Sequence, residues 1–291
     1  MKLGTNEVWS SWPGYVLDDY PSAATAYSLR LLRSAYTGSA IRVRRASDNT
    51  EQNIGFVNNE LDTSSLTSFC SGTNGFVTTW YDQSGNGRDA TQTTAANQPQ
   101  IVSSGSVILE NGKPSIQLNG SNSFMEMQSV GNLINNVNYF NSFILLQSNS
   151  NSNICVFEST YPDGYARVLS ERGRTTTNAY GIGGRRVRAN SFIYNVSNTT
   201  TSSFVLMSNI IDYSNSNLYI YQNGTNVASN TSYQTDGSTD TNTTNFVFFK
   251  RAVLTESFFN GKCSELLFYT SDQSSNRTGI ETNINDFYSI Y

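Results

Sequence analysis

A chain of 291 residues with 37% hydrophobic residues, 17 Tyr and 16 Phe has material for one large core, and the 14% of charged residues and formal net charge of −4 argue against a nucleic-acid binder and a cytosolic metabolic enzyme. The absence of histidine excludes Ser-His-Asp and Cys-His hydrolases and removes the commonest zinc ligand. Cys70, Cys155 and Cys263 are odd in number and far apart, so they read as buried free thiols rather than a disulfide framework.

Residues 1–7 lack the apolar run of a signal peptide, and no segment approaches the roughly 20 apolar residues of a membrane span. The expectation is a protein that does not leave the cell by the ordinary route and does not insert into membranes. Residues 1–13, with Trp9, Trp12 and Pro13 but no periodicity, read as an extended arm. The chain divides accordingly into an attachment arm over 1–20 and one sandwich domain over 21–291.

In residues 23–36 the spacing of Ala24, Tyr27, Leu31 and Leu32 predicts a short helix. Ile41-Arg42-Val43-Arg44-Arg45 alternates as a half-buried strand does. Asp62 precedes a second short helix ending near Phe69, and Gly75 to Tyr81 is the next strand. From Ser106 on, strands follow at short intervals: 106–110, 114–119, 123–128, 142–148, 153–159, 165–170, 179–183, 190–195, 202–210, 217–222, 226–230, 245–250 and 261–269. Asn223-Gly224 predicts a type I′ hairpin turn. Asp272 can cap a closing helix carrying Ile280, Ile284, Phe287 and Tyr291. The fold class is therefore all-β, a concanavalin A-like or laminin-G-like jelly-roll sandwich with short peripheral helices, one of them at the C-terminus.

Three constellations could carry function. The loop Asp82-x-Ser84-x-Asn86-Gly87-x-Asp89 opens like a calcium loop, but Thr93 stands where an EF-hand needs glutamate; the competing reading is a turn whose side chains satisfy backbone amides. Calcium is the one cofactor this loop would bring. Six of the 14 arginines lie between Arg167 and Arg188, and Arg172, Arg174, Arg185, Arg186 and Arg188 could hold anionic sugars or an acidic partner. A solvated sheet edge is the alternative. Tyr219 and Tyr221 could stack on sugar rings or belong to the core.

Residues 29–36, the strand Ile41 to Arg45 with Ala46-Ser47-Asp48-Asn49-Thr50, Phe69-Cys70, Tyr81-Asp82-Gln83-Ser84-Gly85-Asn86-Gly87 and Thr91-Gln92 together resemble the start of the arabinofuranosidase B catalytic domain. The run Cys263 to Asp272 resembles the end of laminin-G-like modules. The first resemblance implies two carboxylates about 5 Å apart, a nucleophile and an acid/base. The family carries one in a Trp-x-x-Val-Asp-Met-Glu-Asn strand and the other after Ile-Gly-Gly-Asp. By chain order the second falls at Lys250-Arg251, and the run Gly181-Ile182-Gly183-Gly184 is followed by Arg185, so no catalytic residue is expected. Glu158, Glu171 and Glu265 are the carboxylates in strand-like contexts.

The motifs Ile-Arg-Val-Arg-Arg and Trp-Tyr-Asp-Gln-Ser-Gly-Asn-Gly are similar to those of structural proteins of tailed bacteriophages. The leading expectation is a non-catalytic virion component, a head decoration or fibre or a tail adhesin on the exposed surface of the phage particle. Trp9 and Trp12 of the arm would attach it to capsid or tail proteins, as a homo-oligomer, and the arginine face with Tyr219 and Tyr221 would meet host glycans. The alternatives are a secreted arabinofuranosidase-like hydrolase, which loses activity on changing Glu171 or Glu158, and a bacterial carbohydrate-binding or adhesion module.

Overall fold

The computed structural model describes residues 12–128, 133–150, 153–200, 203–241, 245–253 and 256–291. Its principal strands are β1 (Thr25–Ser28), β2 (Ile41–Arg45), β3 (Glu51–Ile54), β4 (Gly75–Trp80), β5 (Ala90–Thr91), β6 (Gln100–Ser103), β7 (Ile116–Asn119), β8 (Met125–Met127) and β9 (Tyr139–Ser148). After these come β10 (Ile154–Thr160), β11 (Ala166–Arg172), β12 (Ala179–Gly184), β13 (Ile193–Thr200), β14 (Val205–Asp212), β15 (Asn217–Gln222), β16 (Thr225–Asn230), β17 (Asn245–Phe248) and β18 (Asn260–Tyr269). The helices are α1 (Val16–Asp19), α2 (Thr63–Phe69) and α3 (Arg277–Tyr288).

Every pairing is antiparallel. One layer runs β3-β2-β4-β5-β8-β17-β10-β11-β12-β13. In the other, β18 lies between β9 on one side and β1 and β7 on the other, and β14, β15 and β16 follow β9. β6 pairs with both β4 and β7 and curls the layers into one another. Their inner faces meet in a phenylalanine cluster: Phe157 packs on Phe246 and Phe268 at ring-centre distances of 5.6 and 5.2 Å, and Phe140 touches all three. Each such ring, fully withdrawn from water, contributes about 1.5–3 kcal/mol. The sandwich predicted from strand spacing is thus the fold.

Residues 23–36 are not helical. Thr25 to Ser28 form β1, fully buried and paired with β18 over Thr25↔Phe268 to Ser28↔Glu265. Tyr27 enters the inter-layer core while Ala26 faces the outer cluster. A strand buried on both faces carries apolar residues without strict alternation, and this mimics a helical rhythm. By contrast, α2 forms where expected, with Asp62 Oδ1 accepting from the Ser65 amide at 2.9 Å. The closing helix begins later than Asp272, whose Oδ1 accepts from the Ser274 amide in the turn before it. At the β15–β16 hairpin Asn223 and Gly224 both have positive φ, 50° and 75°, as a type I′ turn requires.

The outer face of the second layer is covered by α3, whose Ile280, Ile284, Phe287 and Tyr288 pack with Phe143, Leu145, Leu267 and Tyr269. Val16 and Leu17 of α1 are buried in the same cluster, and the Trp12 ring lies edge-on to Phe287 at 5.6 Å. Residues 12–20 therefore pack against the sandwich's own helix; Trp9 lies outside the described residues.

All three cysteines are free and buried. Burial pushes each thiol up, Cys155 and Cys263 most strongly, so the nucleophilic thiolate is scarce at neutral pH. An aromatic disulfide reagent is expected to titrate essentially no thiol in the native protein and all three after denaturation. Rapid native reaction of Cys155 would contradict this packing.

Candidate functional site

On β11, alternation sends Val168 inward to the core and Leu169 and Glu171 outward. On neighbouring β10 simple alternation would place Cys155 and Glu158 on opposite faces, since they are three residues apart. A bulge intervenes: the register steps from Cys155↔Glu171 to Phe157↔Ser170 and Glu158↔Leu169, leaving Val156 unpaired. Val156 and Phe157 both enter the core, and Cys155 and Glu158 both emerge on the outer face beside Glu171. Bulges re-aim side chains in this way.

The side chains of Glu158 and Glu171 are both 0% exposed. Arg251, just beyond β17, lies between them: its Nε donates to Glu158 Oε1 at 3.0 Å and one terminal nitrogen to Glu171 Oε1 at 3.1 Å. Glu158 Oε2 also accepts the Ala252 amide, and Glu171 Oε2 accepts from Arg174 at 2.7 Å. Burial acts to drive the Arg251 guanidinium down, but the bonds and charge of Glu158 and Glu171 outweigh it and hold it up. Two buried carboxylates cost several kcal/mol each to desolvate, and the guanidinium offsets that cost by bonding to both.

Above this cluster opens a cavity of about 240 Å³ lined by Tyr165, Leu169, Arg174, Arg185, Phe192 and Arg251, among others. Its wall is a ladder of alternating cations and rings. Arg188 stands 3.8 Å from the Tyr165 ring centre, Arg185 lies 5.1 Å from Tyr165 and 5.3 Å from Phe192, and Arg174 lies 5.2 Å from both Phe192 and Tyr194. Each contact is worth about 0.5–2 kcal/mol, and the series fixes long side chains that would otherwise be mobile. The glycines of β12 make the room: a Cβ on Gly181 would stand 2.6 Å from the Tyr194 hydroxyl, and one on Gly183 2.9 Å from the Tyr194 ring.

Of the arginines singled out in sequence, Arg174 and Arg185 line the cavity and Arg188, ion-paired with Asp163 at 2.6 Å, stands at its rim. Arg172 is buried on the inner side of β11, donating to Ser148 Oγ and Asn178 Oδ1. Arg186 binds Thr235 Oγ1 and the Ser238 carbonyl. Tyr219 and Tyr221 pack under α3, with Arg277 3.9 Å from the Tyr221 ring centre, away from the arginine ladder. A larger cavity of about 730 Å³ includes Glu60 and Asp62, but Glu60 is paired with Lys113 and Asp62 caps α2.

The Asp82–Asp89 loop turns its oxygens inward. Asp82 Oδ1 accepts from the amides of Ala26 and Ser84, and Oδ2 from Ser84 Oγ and the Arg88 amide. Asp89 Oδ1 accepts the Asp82 amide, and Asn86 donates to the carbonyls of Ala23 and Ala24. Four bonds converging on one buried carboxylate tie the loop to β1. Asp82→Ala is expected to destabilise the protein by about 2–4 kcal/mol in chemical denaturation, with Asp82→Asn costing less because one oxygen remains.

Fold and site together define a concanavalin A-like jelly-roll sandwich with a guanidinium-bridged carboxylate pair beneath a small cavity. The family model for alpha-L-arabinofuranosidase B catalytic domains matches residues 15–184, more than half of the chain. The chain belongs to that family. It is 34% identical over 115 residues to alpha-L-arabinofuranosidase B of Emericella nidulans, covering 38% of this chain and 22% of that protein. It is 30% identical over 121 residues to that of Aspergillus niger, covering 40% and 24%. The matches thus span about a quarter of these relatives' length.

Among solved structures, an arabinofuranosidase complexed with arabinofuranosyl-alpha-1,2-xylobiose superposes with a TM-score of 0.66 at 17% identity, over 94% of this chain and 64% of that one. The binding domain of Paraclostridial Mosquitocidal Protein 1 superposes with a TM-score of 0.52 at 15% identity, over 72% and 49%.

Membership of a catalytic-domain family overturns the expectation of a non-enzymatic module. That expectation rests on the missing Trp-x-x-Val-Asp-Met-Glu-Asn run. Val168-Leu169-Ser170-Glu171 keeps the Val and Glu of that run at the same spacing, and the fold sets Glu171 against a second carboxylate, Glu158, from the adjoining strand. The Val-x-x-Glu spacing is the sequence signal for Glu171; Glu158 is marked only by its strand-like context, and a bulge decides its direction.

Proposed function

We propose that this chain is a glycoside-hydrolysing domain acting on α-L-arabinofuranosides, with Glu171 as the nucleophilic carboxylate and Glu158 as the acid/base. The observation carrying this reading is the convergence of two fully buried carboxylates from adjacent strands on one guanidinium beneath a cavity of monosaccharide scale. Carboxylates close enough to share one guanidinium suit the retaining arrangement, in which no water must fit between them and the sugar.

In the resting site Arg251 bridges both carboxylates. The retaining reaction uses Glu158 in its acid form and Glu171 as the carboxylate. Glu171 attacks the anomeric carbon while Glu158 gives its proton to the departing oxygen. Glu158 then takes a proton from water, which cleaves the glycosyl ester and regenerates Glu171. The test is release of nitrophenol from 4-nitrophenyl α-L-arabinofuranoside by the purified chain, with the anomeric configuration of the first product read by NMR. No release above the Glu171→Gln background, or an inverted product, would refute the assignment.

A further inference from the structure

The cavity's charge is not balanced. It gathers four guanidinium groups, Arg174, Arg185, Arg188 and Arg251, against three carboxylates, Glu158, Glu171 and Asp163. Arg251 pairs with both glutamates, Arg174 with Glu171, and Arg188 with Asp163. Arg185 forms no ion pair among the described residues. Its Nε donates to the Asn190 carbonyl at 3.0 Å and one terminal nitrogen to the Ala166 carbonyl at 2.8 Å, so it is held in place by neutral groups. The other terminal nitrogen donates to no described residue. The Tyr165 and Phe192 rings flank it, and half-exposed Tyr165 lines the cavity beside it. Partial burial and the neighbouring Arg188 charge lower the Arg185 pKa.

From this arrangement we infer that the Arg185 end of the cavity selects a carboxylate-bearing neighbour of the arabinofuranose, a uronate unit, whose acid group pairs with Arg185 beside Tyr165. The inference rests on the glycoside-hydrolase reading for the cavity's role, but it concerns recognition and stands on different residues. A fixed, flanked guanidinium with one terminal nitrogen left unbonded suits a carboxylate, because that donor needs no reorganisation on binding. A neutral sugar in that neighbouring position would leave the Arg185 charge unanswered.

The experiment compares binding of galacturonic acid, its methyl ester and arabinose by titration calorimetry to the intact chain, to Arg185→Gln and to Glu171→Gln. The acid is expected to bind about tenfold or more tightly than its ester, a charge-assisted hydrogen bond being worth about 1.4 kcal/mol or more. The preference should disappear in Arg185→Gln and persist in Glu171→Gln. Equal binding of acid and ester, a preference that survives Arg185→Gln, or no binding of either overturns the inference. Arabinofuranoside hydrolysis is measured separately: loss of that activity with the acid preference intact would strike the hydrolase reading alone, and hydrolysis without a preference would strike this inference alone.

Discussion

Glu171→Gln is expected to lower hydrolysis of 4-nitrophenyl α-L-arabinofuranoside by at least about a thousandfold, because an amide cannot form the glycosyl ester and no other outward carboxylate on β11 can replace it. Glu158→Gln should behave differently. Nitrophenolate leaves without protonation, so the first step survives and the second slows for want of a base. On an arabinosyl-oligosaccharide, whose alcohol needs a proton to depart, the same variant should lose about a hundredfold more than on the nitrophenyl substrate. Added azide, which attacks without a general base, should restore turnover of Glu158→Gln and yield a glycosyl azide, while leaving Glu171→Gln unrestored. If both variants respond alike to leaving group and azide, the two roles are misassigned. Because each substitution also removes a partner of Arg251, melting curves of both variants belong with the kinetics, so that lost activity is not confused with lost fold.

The parts of this chain that sequence makes legible are those where one local rule acts alone. The Ile41 to Arg45 strand shows its alternation because one face meets the core and the other solvent. The Asn223-Gly224 turn and the Asp62 cap are likewise set by residues within a few positions of one another. β1 carries a helix-like apolar spacing because it is buried on both faces, so the pattern reports two packing partners at once.

The site lies beyond local rules for a different reason. Glu158, Glu171 and Arg251 are brought together by a bulge, a hairpin and a strand some 80 residues downstream, as the Arg251–Glu171 bond spans 80 positions. The arginine-rich span marked the right region, yet strand pleating divides it: Arg172 points inward on β11 while Arg174 and Arg185 join the rings on the cavity wall. At Lys250-Arg251 the loss of an acid looks like the loss of an active site. In space, Arg251 instead becomes the counter-charge that lets two carboxylates remain buried side by side.

The largest stability loss is expected elsewhere, at Glu265. Its side chain and that of Arg30 are both 0% exposed, joined by two bonds of 2.8 and 2.9 Å in the fork-to-fork arrangement. Glu265 Oε2 also accepts from Ser28 Oγ at 2.8 Å and lies 3.3 Å from the Tyr288 hydroxyl, so β1, β18 and α3 are tied through one carboxylate. Phe287 closes the site, its ring centre 5.0 Å from the Arg30 guanidinium. Removing one partner strands a charge where water cannot reach it. Glu265→Ala should therefore cost about 3–5 kcal/mol, which for a chain of this size lowers the melting temperature by roughly 6–15 °C. The double variant Arg30→Met with Glu265→Met removes both charges and keeps most of the volume, so it should recover much of that loss, because the desolvation cost of the pair disappears with it. If the double variant is as unstable as the sum of the two single ones, the ion pair contributes through its hydrogen-bond geometry to Ser28 and Tyr288 and not through mutual neutralisation; if Glu265→Ala costs less than about 1 kcal/mol, the charges are not buried as described.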